Sequence, residues 1–328
     1  MDKIVRLKSN ERAEIFMETA AQKGVSPGVV EKDFWVTWVL GRIFASSSLS
    51  DIILFKGGTS LSKIFGLIER FSEDIDLIID WNELGLEDPY KDRSKTKQDE
   101  FNKYVPEKSR EYIRETVLPE VNEILGDICD SAVETNAPDV INIRYPASFN
   151  EAYLRPELRL ELGPLAMWVP NERYKISPYV AEVFPDMFES PDCSVRAIVA
   201  ERTFWEKVTI LHAEYYRPES RPLPMRYSRH YYDVAMMGDN DALKSSALDR
   251  LDLLGSVVEF KNRFYPRGWA RYALAQPGSV RLLPAKNKIK ELRQDYKQME
   301  VMFFSKPPEF SELLEKLQAL ENDINGFA

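Results

Sequence analysis

The sequence has few of the residues that build disulfide frameworks and zinc sites. Only two cysteines, Cys129 and Cys193, and two histidines, His212 and His230, occur in 328 residues. Two cysteines cannot form a disulfide framework, and none of the four residues has the spacing of a zinc site. We therefore expect no structural zinc and a structural rather than catalytic role for both histidines.

Long apolar segments are also missing. No run approaches the roughly 18 apolar residues that a membrane-spanning helix needs, and residues 1–6 lack the apolar region of a signal peptide. The hydrophobic content of 44% is enough for a sizeable core, and the length permits one large or two ordinary domains. We expect a soluble, cytoplasmic protein without a membrane partner.

The chain is acidic overall, but one segment is strongly basic. The net charge is −9, which argues against nucleic-acid binding, yet residues 261–297 contain ten basic residues and only two acidic ones. The basic residues are Lys261, Arg263, Arg267, Arg271, Arg281, Lys286, Lys288, Lys290, Arg293 and Lys297, and the interleaved aromatic residues are Phe264, Tyr265, Trp269 and Tyr272. Cations beside aromatic rings can hold the phosphates and stack on the bases of RNA. Alternatively, the rings pack into the core and the charges merely face water.

A Gly-Gly turn followed by two hydroxyl residues is the first motif that carries chemistry. Gly57 and Gly58 follow Lys56, and Thr59 and Ser60 come next at a predicted helix start. Glycine lets a backbone approach a phosphate closely, and the N–H groups at a helix start favour an anion. We predict that these five residues bind the triphosphate of a nucleotide. The order of residues differs from the Walker A motif, which disfavours a P-loop NTPase.

A carboxylate pair follows in a second apolar strand. Asp74 and Asp76 are two residues apart, so their side chains point to one face of the strand, while Ile75 and residues 77–79 are apolar. Two carboxylates this close repel each other unless a cation lies between them, and such oxygen ligands suit Mg²⁺, with Mn²⁺ as the alternative. We predict that both aspartates bind the metal of an in-line phosphoryl displacement.

These motifs, in this order, resemble a known family. Segments 55–61 and 70–79 are similar to the AbiEii-type nucleotidyltransferase toxins, which are relatives of the MenT toxins within the DNA polymerase β-like nucleotidyltransferase superfamily. Segments 30–36, 201–207 and 229–233 resemble the opening helix and the later motifs of the same family.

The later motifs carry a functional lysine and a functional aspartate in the family, which the resemblance places at Lys207 and Asp233. From the residues alone, Lys207 lies off the apolar stripe of a helix that we predict from about Val195 to Tyr216, so it is either solvated or aimed at a cleft. The resemblance implies a phosphate clamp. Asp233 is either a helix-surface carboxylate or the partner that orients Lys207 or assists the incoming hydroxyl.

A third carboxylate is expected from a neighbouring strand. Residues 157–162 alternate strictly, with the leucines on the core face. Glu161 is the candidate, and Glu157 is the reserve. Glu161 would bind a second metal or remove a proton from the attacking hydroxyl, although an ordinary exposed strand face explains the pattern equally well.

The predicted fold is α+β. Residues 1–190 form a polymerase β-like nucleotidyltransferase core with a small mixed sheet and N-terminal helices, residues 191–328 form a mostly helical C-terminal domain, and substrate binds in the cleft between them. The predicted strands are 52–55, 75–79, 140–145 and 158–162, and the predicted helices include 29–44, 60–68 and 95–125, the last interrupted at Pro106 and Pro119.

The resemblance implies a toxin of a bacterial toxin–antitoxin or phage-defence (abortive infection) pair. It would transfer nucleotides from an NTP to RNA, with the tRNA 3′ end as the expected acceptor and a cognate antitoxin as a partner. Two alternatives remain open. One is a nucleotidyltransferase that modifies a protein or a small molecule, which the basic segment disfavours. The other is a non-catalytic RNA-binding or antitoxin-binding module, which the intact Asp74 and Asp76 disfavour.

Overall fold

The computed structural model describes four stretches of the chain, residues 1–72, 74–150, 155–164 and 167–326. Glu73, within the carboxylate motif, lies outside them. The chain divides into two compact units. The first unit is Met1–Ile64 with Phe71–Ile198, and the second is Phe65–Arg70 with Val199–Ala328. Within the described stretches, no helix combines the length and apolar character needed to cross a membrane.

The first unit is built on a mixed sheet. Its strands are β1 (Ile53–Lys56), β2 (Asp74–Ile79), β3 (Asp130–Glu134), β4 (Ala137–Arg144), β5 (Glu157–Gly163), β6 (Asn171–Ile176) and β7 (Cys193–Ile198). Their order across the sheet is β3-β4-β5-β2-β1-β7-β6. β2 is parallel to β5 and antiparallel to β1, and β1 is parallel to β7. This confirms the predicted mixed sheet and adds β3, β6 and β7, which sequence reasoning missed.

Helices flank this sheet. They are α1 (Asp2–Val5), α2 (Ser9–Lys23), α3 (Pro27–Ala45), α4 (Gly57–Lys63), α5 (Lys95–Tyr112), α6 (Leu118–Leu125) and α7 (Tyr179–Val183), with a π-helical turn at Ile113–Val117 and 3₁₀ turns at Trp81–Leu84 and Pro185–Met187. α3 begins at Pro27, two residues before its predicted start, because the Ser26 side chain accepts the N–H of Val29 and Pro27 occupies the first turn. It packs against α2 and β7.

The second unit is helical, as predicted. Its helices are α8 (Ala200–Tyr215), α9 (Ser228–Asp239), α10 (Asp241–Leu248), α11 (Leu251–Phe264), α12 (Ile289–Gln298) and α13 (Phe310–Asn325), with 3₁₀ turns at Tyr272–Leu274, Lys286–Lys288 and Glu300–Met302. α8 lies at the centre and packs against α9, α10 and α11, while α13 packs against α9. The buried Trp205 and Leu211 come from α8.

Two predicted helix boundaries are wrong. The helix predicted from Val195 begins only at Ala200, because Val195 and Ala197 are buried with strand alternation and Ala197 pairs with β1. The helix predicted to Ile68 ends at Lys63.

The predicted interruption at Pro106 is also wrong. α5 continues through this proline to Tyr112. A proline inside a helix costs about 3 kcal/mol, which the burial of Val105, Ile113 and Val117 on the same helical segment can offset.

His212 on α8 is a structural histidine, as expected. It is fully buried. Its Nδ1 accepts the backbone N–H of Arg281 at 3.2 Å, so its Nε2 carries the proton and donates to the carbonyl of Arg271 at 3.1 Å. Burial lowers the pKa of His212. The ring is therefore neutral in the folded state and fixes the backbone of two exposed arginines.

The pH dependence of stability follows from this burial. His230 likewise has a pKa lowered by burial, with Lys207 and Arg229 adding to the effect. Both rings gain protons on unfolding once the pH falls below about 6.5, so acidification lowers the free energy of unfolding by up to about 1.4 kcal/mol per pH unit for each histidine. Urea unfolding between about pH 7 and pH 5 measures this slope.

Substitution of His212 provides the control. The variant His212→Gln removes one of the two titrating rings while keeping an amide donor and acceptor, so its slope should be smaller than that of the wild type. Equal slopes in the two proteins would contradict a neutral, buried His212.

Candidate active site

The two predicted metal-binding aspartates lie on one face of β2. In the parallel register with β5, Asp76 pairs with Glu161 and Asp74 pairs with Arg159. In the antiparallel register with β1, Asp76 pairs with Lys56. Residues paired across neighbouring strands share a face of the sheet, so the candidate third carboxylate lies beside Asp76. The structure thus brings together four of the predicted site residues: Lys56, Asp74, Asp76 and Glu161.

Gly57 packs directly against the Asp76 carboxylate. Its φ is +81°, a left-handed conformation that side chains rarely adopt. A Cβ atom added at this position would lie 1.9 Å from Oδ2 of Asp76 and 2.6 Å from its Cγ. Both the turn and the position of Asp76 therefore require glycine here.

The hydroxyls of Thr59 and Ser60 donate hydrogen bonds within the protein. Thr59 Oγ1 donates to the backbone carbonyl of Asp74 at 2.6 Å, and Ser60 Oγ donates to the carbonyl of Gly57 at 2.9 Å. Thr59 thereby ties α4 to the start of β2. The hydroxyls act as structural donors in this state, whereas the first N–H groups of a helix have no acceptor within the helix. Phosphate binding by this turn stays a prediction that depends on its backbone.

Arg159 is a member of this face that sequence reasoning missed. Its Nε lies 3.5 Å from Asp74 Oδ1, and its Nη2 lies 3.2 Å from Glu134 Oε2 and 3.8 Å from Glu161 Oε1. The alternation of residues 157–162 already placed Arg159 on the same face as Glu161. Three carboxylates around one guanidinium leave the face with surplus negative charge.

The donor set of this face fits a hard divalent cation. No group of three or more histidine, cysteine or acidic residues with the geometry of a metal site occurs in the stretches that the structure covers. Mg²⁺ does not need three protein ligands, since it binds through one or two carboxylates and completes its coordination shell with water and substrate phosphates. Asp74 and Asp76 can supply those two carboxylates. Oδ2 of Asp76 lies where a side chain at residue 57 would otherwise be, so glycine at this position makes room for it.

Lys207 and Asp233 form a buried ion pair in the second unit. Lys207 Nζ lies 2.7 Å from Asp233 Oδ2. Arg70 holds the same carboxylate with two hydrogen bonds of 2.7 Å, from Nε to Oδ1 and from Nη2 to Oδ2. Asp233 is fully buried and Arg70 is 2% exposed. The interpretation of Lys207 as a solvated lysine is wrong, and Asp233 is its partner.

The electrostatics of this triad keep Asp233 ionised. Burial alone would raise the pKa of Asp233, but Arg70 and then Lys207 outweigh that effect and hold the pKa below its ordinary value. Arg70 was missed by sequence reasoning, although it begins the segment 70–79 that resembles the family motif.

The basic segment 261–297 divides into core and surface. Phe264 and Tyr272 are buried, whereas Tyr265 is exposed and Trp269 is half-buried. The exposed basic residues are Arg267, Arg271, Arg281, Lys286, Lys290, Arg293 and Lys297. Lys288 is buried, and Lys261 donates to Glu206 and Thr209. Packing into the core is thus confirmed for Phe264 and Tyr272, and RNA contact by the exposed residues stays a prediction.

Comparisons with known proteins agree with these motifs. The family model described as "Nucleotidyl transferase AbiEii toxin, Type IV TA system" matches residues 38–316. Among solved structures, the chain is similar to MenT4, a nucleotidyltransferase toxin from Mycobacterium tuberculosis H37Rv, with 14% identity over 94% of this chain and 88% of that chain. The TM-score is 0.49, too low to support an inference about this protein. No curated protein matches the sequence significantly.

Substitution of Gly57 tests its contact with Asp76. We expect Gly57→Ala to lower the free energy of unfolding by more than the roughly 1–2 kcal/mol that a left-handed residue costs, because its Cβ also displaces the Asp76 carboxylate. Urea unfolding measures this cost.

Gly85 offers a matched control in the same unit. Its φ is +62°, but a Cβ there would meet no atom within 4 Å. Gly85→Ala should therefore show only the conformational cost. If Gly57→Ala and Gly85→Ala behaved alike, the contact between Gly57 and Asp76 would have no energetic role.

Substitution of Asp233 tests the buried triad. Asp233→Asn removes the charge of the carboxylate that two buried cations share, so it should lower the free energy of unfolding by about 3–5 kcal/mol. The comparison is Asp239→Asn on the same helix, where the partly exposed pair with Lys316 is worth at most about 1 kcal/mol. Urea unfolding of both variants decides the matter.

The pH dependence of this difference has a definite sign. Because the pKa of Asp233 is lowered in the folded state, its contribution is complete above about pH 4 and is lost on further acidification. A difference between wild type and Asp233→Asn that grew in acid would contradict an ionised Asp233.

Proposed function

This chain belongs to the AbiEii nucleotidyltransferase toxin family of type IV toxin–antitoxin systems, and we propose that it transfers a nucleotide from an NTP to RNA. The observation that carries the proposal is the face formed by Asp74, Asp76 and Glu161, with Gly57 packed against Asp76. A glycine turn held against a carboxylate pair suits a metal-bound triphosphate.

The residues of the first unit have separate tasks in this proposal. Asp74 and Asp76 hold the metal, and the backbone of residues 57–60 cradles the triphosphate. Mg²⁺ bound there supplies charge that stabilises the attacking and leaving oxygens. Arg159, now paired with Asp74, keeps the carboxylate face from repelling itself before a metal binds.

The acceptor hydroxyl reacts with the α-phosphorus of the NTP. A bond forms between the acceptor oxygen and phosphorus, the bond to the bridging oxygen breaks, and pyrophosphate leaves with that electron pair. Glu161, whose side chain is 43% exposed, is placed to accept the hydroxyl proton, with a second metal as the alternative use of the same carboxylate.

Lys207 is the proposed phosphate-binding cation of the second unit. Its burial and its pairing with Asp233 support this role, because the carboxylate holds the ammonium group at a fixed position. Asp233 orients the ammonium group. Burial strengthens the interaction of such a charge with phosphate relative to one in water.

RNA is the acceptor that the surface charge favours. Seven exposed basic residues lie between residues 267 and 297 in an otherwise acidic protein, and neutralisation of phosphates by lysine and arginine is the main source of affinity for nucleic acid. The tRNA 3′ end is the proposed target, which would block translation. We place the enzyme in the cytoplasm, with a cognate antitoxin as its regulator.

The transfer reaction can be measured directly. Purified protein, Mg²⁺, total cellular RNA and each labelled NTP in turn should give label in RNA with at least one NTP, and the label should enter the tRNA fraction. Asp76→Asn should reduce the label to background, because it removes a metal ligand with little change in volume. Omission of Mg²⁺ should have the same effect.

Matched controls separate the remaining interpretations. Asp80→Asn changes an aspartate that lies just beyond β2 and caps a 3₁₀ turn, so it should retain transfer. Label in protein or in small molecules instead of RNA would favour the other acceptors. If Asp76→Asn labelled RNA as well as the wild type, the proposed metal site would be wrong, and toxicity that survived both Asp74→Asn and Asp76→Asn would favour a non-catalytic module.

A further inference from the structure

Three arginines surround one tryptophan on the surface of the second unit. The guanidinium carbons of Arg217, Arg221 and Arg267 lie 5.0, 5.9 and 5.8 Å from the ring centroid of Trp269. We call these four residues the Trp269 cluster. Arg217 and Arg221 come from the segment between α8 and α9, and the other two come from the segment after α11.

The Trp269 cluster carries surplus positive charge. Arg217 is paired with the buried Glu214, with 2.8 Å between Nη2 and Oε1. Arg221 and Arg267 are exposed, and neither makes an ion pair with any residue that the structure covers. Cation–π contacts at exposed sites are weak, while the like charges repel. An anion between the two unpaired guanidiniums would relieve that repulsion.

The ring at the centre is rigidly supported. Trp269 packs against the cluster of buried residues formed by Ala213, Ala270 and Tyr272. It is half-buried rather than enclosed, so part of the indole still reaches the surface. A fixed aromatic ring among unpaired arginines is the arrangement that stacks a base and holds its phosphates.

A second aromatic–arginine pair continues the same surface. The Arg271 guanidinium lies 4.8 Å from the ring centroid of Tyr216, next to Arg217 in the sequence. Arg271 has a φ of +49°, an unfavourable conformation for arginine. The buried His212 holds its carbonyl. The backbone of Arg271 is thus held by a buried residue, and its guanidinium lies over Tyr216.

We propose that the Trp269 cluster, with Tyr216 and Arg271, binds a single-stranded segment of the RNA acceptor. An unpaired base stacks on Trp269, and Arg221 and Arg267 bind the flanking phosphates. This inference rests on the proposed function only in taking RNA as the acceptor. An acidic protein would satisfy the arginines but would make no use of a supported indole, so RNA fits the cluster better.

RNA binding without NTP tests this assignment. The probes are a 5′-labelled single-stranded RNA and a blunt RNA duplex of the same length, followed by fluorescence anisotropy. The wild type should prefer the single strand, and Trp269→Ala should weaken single-strand binding about tenfold or more and abolish the preference. Trp269→Phe should retain most of the affinity, because phenylalanine also stacks.

The double variant Arg221→Ala/Arg267→Ala tests the phosphate contacts. It should weaken binding about tenfold and reduce the slope of log affinity against log salt by about 1.4, which corresponds to two phosphates on a single strand. Both side chains are exposed, so folding should be unaffected even if Trp269→Ala were destabilised. The control Lys3→Ala/Arg6→Ala removes the same charge from exposed positions outside the basic segment and should change affinity less than about twofold.

Each contrary result has a distinct meaning. Equal losses in the two double variants would reduce the effect to general electrostatics and overturn the assignment. Unchanged RNA affinity in the Arg221 and Arg267 variant would also overturn it, and loss of antitoxin binding instead would identify an acidic protein as the occupant. Failure of the proposed function is separate, since the wild type would then bind RNA in this assay but place no label in it.

Discussion

The close approach of Gly57 to the Asp76 carboxylate is the contact on which the rest of the candidate site depends. It requires both a left-handed residue without a side chain and the register that pairs Lys56 with Asp76. A shift of one residue would turn every side chain of β2 to the opposite face and bury the aspartates. The hydrogen bond from Thr59 to the Asp74 carbonyl fixes the same register from the helix side.

The two units use charge in opposite ways. On the sheet, Asp74 and Glu161 stay partly exposed and share Arg159, so water and one cation limit their repulsion without neutralising it. In the helical unit, Asp233 is fully buried and is balanced by two cations. A buried charge is tolerated only when it is paired and hydrogen-bonded. The first arrangement leaves room for a cation, and the second fixes three charged side chains in the interior of the unit.

Much of the fold could be predicted because its signals are local. The cap of α3 and the alternation of β5 lie within a few residues of sequence, as does the spacing of Asp74 and Asp76. Arg70 could not be predicted as a partner of Asp233 in the same way, since the two residues are 163 residues apart. The burial of Lys207 depends on that pair. The sequence identifies Glu161 as a candidate third carboxylate but does not show that it lies beside Asp76. That position depends on the strand order, which is a property of the whole sheet.

The basic segment shows the same limit from the surface side. In the sequence its four aromatic residues look equivalent. In the structure Phe264 and Tyr272 are buried, whereas Tyr265 and Trp269 remain accessible. The arginines that complete the surroundings of Trp269 come from a different segment, before α9. Charge density along the sequence therefore does not show which arginines lie beside Trp269. That depends on which two loops the helices bring together. In the second unit α8 does this, because its buried His212 holds the backbone of Arg271 and Arg281 while its C-terminus leads into Arg217.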